Sequence, residues 1–286
     1  MTLHFFNTYL LSFLFLSCQQ DYGQLTVIAN TGDILKENSG IQTISPHGLI
    51  WAIGDSGNKD HIYGFDHKGS LVREIKLKNA KNKDWEELAK DGDGNLYIGD
   101  FGNNDNKRKD LRIYKVFNPE MINADEATAE KIEFYYPEQK KFPPKKKHRL
   151  FDAEAFFFWN GNFYIFTKNR AKPFDGTTLL YRVPAVSGRH EAQFISSFKT
   201  CGHDRKCTVT AADISPDKKK IALLSHDKVW LLSNFTGDDF FNGDVKRIDL
   251  GYDSQKEGIC FINEDTLYIS DEKTGKLGGN IYRLRL

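Results

Sequence analysis

The sequence predicts an all-β fold, a β-propeller of five blades. Three observations predict it. A unit of apolar β segments returns five times along the 286 residues. Hairpin turn signals follow the first segment of the unit. Helical 3.6-residue periodicity is missing, while Phe (22) and Tyr (12) are abundant and Met (2) is nearly absent. Aromatic residues suit a pleated, half-buried surface. A β repeat of about 40 to 70 residues is the mark of a propeller, which gathers equivalent positions around one axis.

The elements follow in order. Gln24-Leu25-Thr26-Val27-Ile28-Ala29 is a lone N-terminal strand. First strands open at Ser39-Gly40-Ile41, Glu86-Glu87-Leu88, Glu154-Ala155-Phe156, Ala212-Asp213-Ile214 and Glu257-Gly258-Ile259. Asp91-Gly92-Asp93-Gly94-Asn95, Asn160-Gly161-Asn162, Ser215-Pro216-Asp217 and Asn263-Glu264-Asp265 are turns of hairpin chemistry. Second strands are expected at 51–55, 96–100, 163–167, 221–225 and 267–271. Third strands are expected at 61–65, 111–116, 179–183, 228–232 and 280–284. Fourth strands fall at 71–75, 131–136, 192–196 and 245–250, and the fifth repeat runs out of chain before its own. Pairing the N-terminal strand with that last repeat closes the ring and leaves no open edge. Residues 117–150 and 184–209 are long enough to hide irregular strands, so six blades is the alternative count. Residues 117–130 are expected to hold a helical turn, and the basic run 139–149 reads as a solvated, proline-stiffened loop.

Lys+Arg (40) and Asp+Glu (39) nearly balance. This charge calls for neither nucleic acid nor an anionic membrane surface. Residues 1–17 stand apart from the repeat. Leu10 to Ser17 is an apolar run too short to span a bilayer, and it ends at Cys18. It resembles a bacterial lipoprotein signal, which implies lipidation at Cys18; a plain cleaved secretory signal is the alternative. Residues 18–23 would then be a tether and 24–286 a single propeller domain, exported to the cell envelope and held at the membrane only through its lipid. Outside the cytoplasm, Cys201 and Cys207 are expected to form a disulfide around a short polar loop, with a metal knuckle using His203 as the rival. Cys260 lies inside a strand and reads as a buried apolar residue.

Registering the five repeats locates a candidate site. Ser39, Glu86, Glu154, Ala212 and Glu257 share one position. Glu37, Asp84, Asp152, Thr210 and Gln255 stand two residues earlier. Asp55, Asp100, Thr167, Ser225 and Asp271 end the second strands. Nine of these fifteen are carboxylates, where composition alone supplies about two. In a blade, the start of the first strand and the end of the second lie on one face, so the three rings converge on one mouth of the channel. Crowded carboxylates cannot all ionise unpaired. A divalent cation, raised pKa values suited to acid–base chemistry, or hydration with local Lys and Arg partners would each resolve the repulsion. All-oxygen ligands favour Ca2+. The metal candidates are Glu86, Glu154, Glu257, Asp84, Asp152 and Asp100. Gly54-Asp55-Ser56-Gly57-Asn58 and Gly99-Asp100-Phe101-Gly102-Asn103-Asn104 are matching turns that add Asp55, Asn58 and Asn103 as binding candidates, with Asp271. Lys168, Arg170 and His226 follow second strands on the same face, and with 145–149 the two cations would attract phosphate groups.

The pairing of Asp84-Trp85-Glu86-Glu87-Leu88-Ala89 with Leu96 to Asn104 and Arg112-Ile113-Tyr114 resembles exported, uncharacterised propellers of Bacteroidetes type. Glu-Gly-Ile opening an inner strand is similar to the Ca2+-dependent gluconolactonase/SMP-30 propellers and to the esterase-like phytases. The resemblance implies a metal ligand at Glu86, Glu154 or Glu257, with Asn103 and Asn169 as further ligands. No nucleophile elbow, P-loop or His-Glu-x-x-His helix appears. The expected function is an exported, lipid-anchored binding module with a Ca2+ site, monomeric, whose partner is an unidentified ligand or envelope protein. The alternative is a metal-dependent lactonase or phosphoesterase using the same carboxylates.

Overall fold

A computed structural model describes residues 20–286. The signal assigned to residues 1–17 and its Cys18 lie outside the described residues. β1 (Thr26–Asn30) comes first. Blade one is β2 (Asn38–Thr43), β3 (Ile50–Gly54), β4 (His61–Phe65) and β5 (Leu71–Leu77). Blade two is β6 (Trp85–Lys90), β7 (Leu96–Asp100) and β8 (Leu111–Val116), then a short β9 (Glu126–Ala127) and β10 (Glu130–Tyr135). Blade three is β11 (Asp152–Trp159), β12 (Asn162–Lys168) and β13 (Thr177–Pro184), then β14 (Gly188–Glu191) and β15 (Gln193–Lys199). Blade four is β16 (Ala211–Ile214), β17 (Lys220–Ser225), β18 (Lys228–Ser233) and β19 (Asp244–Asp249); blade five is β20 (Lys256–Asn263), β21 (Thr266–Asp271) and β22 (Asn280–Arg285).

The count is five. Each blade is an antiparallel meander, and β1 supplies the outer strand of blade five by pairing antiparallel with β22. The inner strands β2, β6, β11, β16 and β20 contact one another in a closed ring. The long connections hold no sixth blade. Residues 117–130 contain a 3-10 turn (Pro119–Met121) and β9, which adds in parallel to β5 of blade one. In the same way β14 leaves blade three to pair in parallel with β10 of blade two. Each stray strand covers the exposed edge of the preceding blade.

The apolar core is five wedges, one between each pair of neighbouring blades. Phe101, Phe134 and Tyr97 of blade two meet Phe156, Phe163 and Tyr181 of blade three. Phe157 and Phe166 of blade three meet Leu223, Trp230 and Phe240 of blade four. The other three wedges are built mainly from Ile, Leu, Trp and Tyr. The aromatic excess of the sequence therefore goes largely to blades two to four, where rings stack edge to face.

The axis is narrow and polar. One residue past the shared glutamate position stand Gly40, Glu87, Ala155, Asp213 and Gly258. Glu87 and Asp213 extend into the channel, and the small residues on the other three blades make room. A Cβ on Gly40 would sit 2.6 Å from Glu87 Oε1, and one on Gly258 would sit 2.9 Å from the Ile41 amide nitrogen. Glu87 Oε1 accepts from Leu88 N at 2.9 Å, and Asp213 Oδ2 accepts from Phe261 N at 2.7 Å. The inner strands thus give otherwise orphaned edge amides to two buried carboxylates. Both carboxylates are buried, Glu87 completely.

Candidate functional site at the acidic mouth

The site is made by a repeated backbone irregularity. Pairing of the first and second strands slips by one residue at Ser39, Glu86, Glu154 and Glu257. Each is the extra residue of a β-bulge, which re-aims its side chain out of the strand alternation. Blade four keeps unbroken pairing through Ala212. The shared position read from the sequence is therefore a bulge in four blades and a plain strand residue in the fifth.

The bulged residues, with Asp55, Asn104, Lys168, Arg170, Gln255 and Glu272, enclose a cavity of about 230 Å3. It adjoins a second lobe of about 480 Å3 bounded by Lys172, Arg205, Thr208 and His226, which shares Lys168, Arg170 and Glu257 with it. The mouth is bipolar: blades five, one and two give it carboxylates, and blades three and four give it cations.

The two carboxylate groups differ. Asp152 and Glu154 are neutralised. Arg170 Nε meets Asp152 Oδ2 at 2.6 Å and Arg170 Nη2 meets Glu154 Oε1 at 2.7 Å, while Lys168 Nζ contacts Glu154 Oε2. Asn103 N also donates to Asp152 Oδ1 at 2.6 Å. Burial would lower the Lys168 ammonium's pKa, but Glu154 and then Glu257 outweigh it and hold it above its ordinary value. Among the described residues no Lys, Arg or His forms an ion pair with Asp55, Asp84 or Glu86. Their carboxylate oxygens lie within 4.8 Å of one another. Burial pushes Asp84 up to about 6, with Asp55 and Asp152 adding to the rise. Burial likewise raises Glu86 well above the carboxylate range, reinforced by Glu154, Asp55 and Asp84. Glu86 is only 7% exposed. Gly102 packs directly on these groups: a Cβ there would stand 1.9 Å from Glu86 Oε1 and 2.5 Å from Asp84 Oδ2. An all-oxygen set of this spacing, backed by main chain, fits a hard cation such as Ca2+. The Asp152–Glu154 side fits it less well, because its charge is already met.

The remaining predicted residues are placed as follows. Glu257 lines both lobes. His226 borders the basic lobe; its Nδ1 lies 3.2 Å from Ser254 O. A carbonyl only accepts, so Nδ1 carries the proton and Nε2 keeps a free lone pair. Burial lowers its pKa, against the pull of Glu257, and keeps the ring neutral. Asp100 is not brought to the cavity. Its fully buried carboxylate takes Arg108 at 2.9 Å and Arg112 at 3.9 Å, so it serves as an anchor for the β7–β8 connection. Asp271 also turns inward, accepting from Tyr282 Oη at 2.7 Å and Asn280 N at 2.9 Å. Asn58 binds Glu37 and Asp55 O within its own turn. Asn103 spends its side chain on Phe151 O and Arg108 N, and Asn169 spends its on Asp175 and Ala171 N. Cys201 and Cys207 are joined by a disulfide, and Cys260 is buried and free.

Glu272 is a further site residue that the registered rings do not contain. Burial, then Glu257 and Asp55, push its pKa up to about 8. A signal for it exists in the repeat. One residue past the second-strand ring stand Ser56, Phe101, Lys168, His226 and Glu272, and the last three all reach the cavity.

No protein-family model matches the chain, and no curated protein matches it in sequence. Solved structures do resemble it. The PQQ-bound aldose sugar dehydrogenase of Streptomyces coelicolor superposes with a TM-score of 0.53 at 11% identity, over 92% of this chain and 98% of that one. The fold is shared. A protein named provisionally as a gluconolactonase gives a TM-score of 0.45 at 12% identity, over 92% of each chain. A Bacteroides caccae protein of unknown function gives 0.37 at 8% identity, over 83% of this chain and 73% of that one. At such identities the likeness concerns architecture alone.

Proposed function

We propose that this protein is an exported β-propeller binding module, anchored through Cys18 at the cell envelope, with a Ca2+ site at Asp55, Asp84 and Glu86. Its ligand lies between that site and the cations of blades three and four, with Glu257 and His226 at the junction. The ligand is a small molecule or a segment of an envelope protein, and the propeller acts as a monomer. One observation carries this reading: among the described residues three converging carboxylates have no ion-pair partner, while Asp152 meets Arg170 and Glu154 meets both Arg170 and Lys168. When bound, a divalent cation would supply the missing positive charge and an attachment point for ligand oxygens. Arg170 and Lys168 pair with the neighbouring carboxylates and fix their positions.

The test is metal content and melting. Purified protein is assayed for bound metal, then melted with Ca2+ and with EDTA. Ca2+ is expected to raise the melting temperature by several degrees, since a ligand at a hundredfold excess over its Kd adds about 2.7 kcal/mol. Glu86→Gln is expected to abolish that shift and to raise the melting temperature of the metal-free protein. The absence of any Ca2+ effect on the wild type would overturn the reading.

His226 favours a second reading, a metal-dependent hydrolase of lactone or phosphate-ester type. A neutral imidazole with a free Nε2 beside a carboxylate-rich cavity is equipped to take a proton from water. Turnover of a lactone or phosphate ester that is lost in His226→Gln, with Ca2+ stabilisation retained, would select it over the binding module.

A further inference from the structure

The far mouth of the channel holds a separate cavity of about 580 Å3, within the size range of small-molecule sites. All five blades build it, at or just beyond the ends of their inner strands: Ile44, Lys90, Trp159, Lys218 and Phe261 each come from a different blade. It and the acidic mouth share no lining residue, and the buried Glu87 and Asp213 line neither.

Half of its lining residues are apolar or aromatic, and two ammonium groups, Lys90 and Lys218, stand among them together with the carboxylates Asp91 and Asp93. Lys90 Nζ donates to Thr43 O, which leaves it further N–H groups. Burial lowers the pKa of Lys218 and Lys90 adds to the fall, against the pull of Asp213, so the two cations and this carboxylate sense one another. The nearby carboxylates are largely committed. Asp213 accepts from Phe261 N. Asp91 accepts from Asn95 Nδ2 at 2.7 Å and Tyr97 Oη at 2.8 Å. Asp217 accepts from Ser215 Oγ at 2.7 Å. Asp93 also lines the cavity, so each lysine there has one aspartate to offset it, and anion binding rests on Asp91 being committed.

The backbone adds an independent pointer. Lys218 has φ +63°, a left-handed conformation that penalises any residue with a Cβ. The matching hairpin of blade two runs Asp91 to Asn95 and puts Gly94 at this point, with φ +81°. Blade four instead bears the strain of a lysine, and its side chain lines the cavity beside Lys90. Strain of this kind persists where the side chain is needed.

We propose that the far mouth binds a small organic anion, an aromatic or similar apolar body carrying a carboxylate. Lys90 and Lys218 meet the carboxylate, and Trp159 with Ile44 and Phe261 meets the body. The probe is 4-nitrobenzoate, whose nitroaromatic ring quenches indole fluorescence on contact; 4-nitrobenzyl alcohol is its uncharged counterpart. Titration is followed by tryptophan fluorescence, corrected for absorption, and by calorimetry. Saturable binding of the benzoate is expected, with the alcohol weaker by about tenfold or more, the worth of a charge-assisted hydrogen bond. Lys218→Gly is expected to keep or raise the melting temperature while weakening benzoate binding by a similar factor, about tenfold. Trp159→Leu should remove most of the quenching. That pairing separates a ligand role from a structural one, because a lysine retained only for folding would not be replaced at no cost. Equal binding of benzoate and alcohol, no saturable benzoate binding, or unchanged binding by Lys218→Gly overturns the proposal.

Discussion

Asp84 shows how single residues set the behaviour of the mouth. Its carboxyl is raised to about 6 in the folded protein, chiefly by burial, against an ordinary value of 3.8. A carboxyl raised in this way favours folding while protonated, and that contribution fades as pH climbs through the folded value. Between about pH 4 and pH 7 the metal-free wild type should therefore lose stability relative to Asp84→Asn. Paired melting curves across that window check it; a constant difference would sink it. Ca2+ competes with the same protons, so its affinity should weaken below about pH 6. Glu87 makes the converse point. Burial pushes its carboxyl well above the usual range, although the Leu88 amide pulls against it. Glu87→Gln should change stability little, whereas Glu87→Ala strips the inner strands of an acceptor and should cost about 1–3 kcal/mol in denaturant unfolding. The ring containing Glu86 was legible in the sequence because equivalent positions recur with the repeat; that four of them are bulges was not. The partners of each carboxylate were not legible. Asp100 and Asp152 sit at comparable ends of strands, yet Arg108 takes one inward while Arg170 holds the other at the cavity.

At the scale of elements, the bulge and the glycines beside it work together. Glu86 is thrust out of β6 by a one-residue slip, and Glu87 then reaches the axis because Gly40 leaves space. Blade four has no bulge and contributes no acidic group at this ring, which makes the mouth asymmetric. Gly40→Ala tests the packing. The new Cβ would meet the Glu87 main chain at 2.7 Å, and backbone does not move aside cheaply. The variant should be destabilised by about 1–3 kcal/mol, while Ala155→Gly on blade three should show no comparable clash-driven loss. Equal stability of Gly40→Ala and wild type would mean that the strands part more readily than their spacing suggests. The strands themselves were readable, since alternation and turn residues act locally. The parallel additions of β9 and β14 were not, because they obey the free edge of a different blade.

At the scale of the whole molecule, the propeller depends on closure. β1 is the outer strand of a blade made otherwise from the last thirty or so residues of the domain, and Thr26 pairs with Arg283 across the full length of the chain. Five wedge-shaped cores transmit that closure around the ring. Removing residues through Asn30 uncovers β22 and should lower the melting temperature by about 10 °C or more, with a broadened transition. Calorimetry of the truncated chain reads this directly; a sharp, unshifted transition would show that the ring holds without its closing strand.

The sequence by itself determined the propeller, a count of five blades with six as the alternative, the order and limits of most strands, the closure and the ring of equivalent positions. These follow from period-two patterning, turn chemistry and repetition, which are written locally along the chain. Tertiary structure alone decided which carboxylates meet a cation and which are left to repel, that Glu87 and Asp213 are buried on the inner strands, and that Lys90, Trp159 and Lys218 line one cavity. Those outcomes depend on distances between side chains tens or hundreds of residues apart, and on how far each is withdrawn from water, which no local pattern encodes.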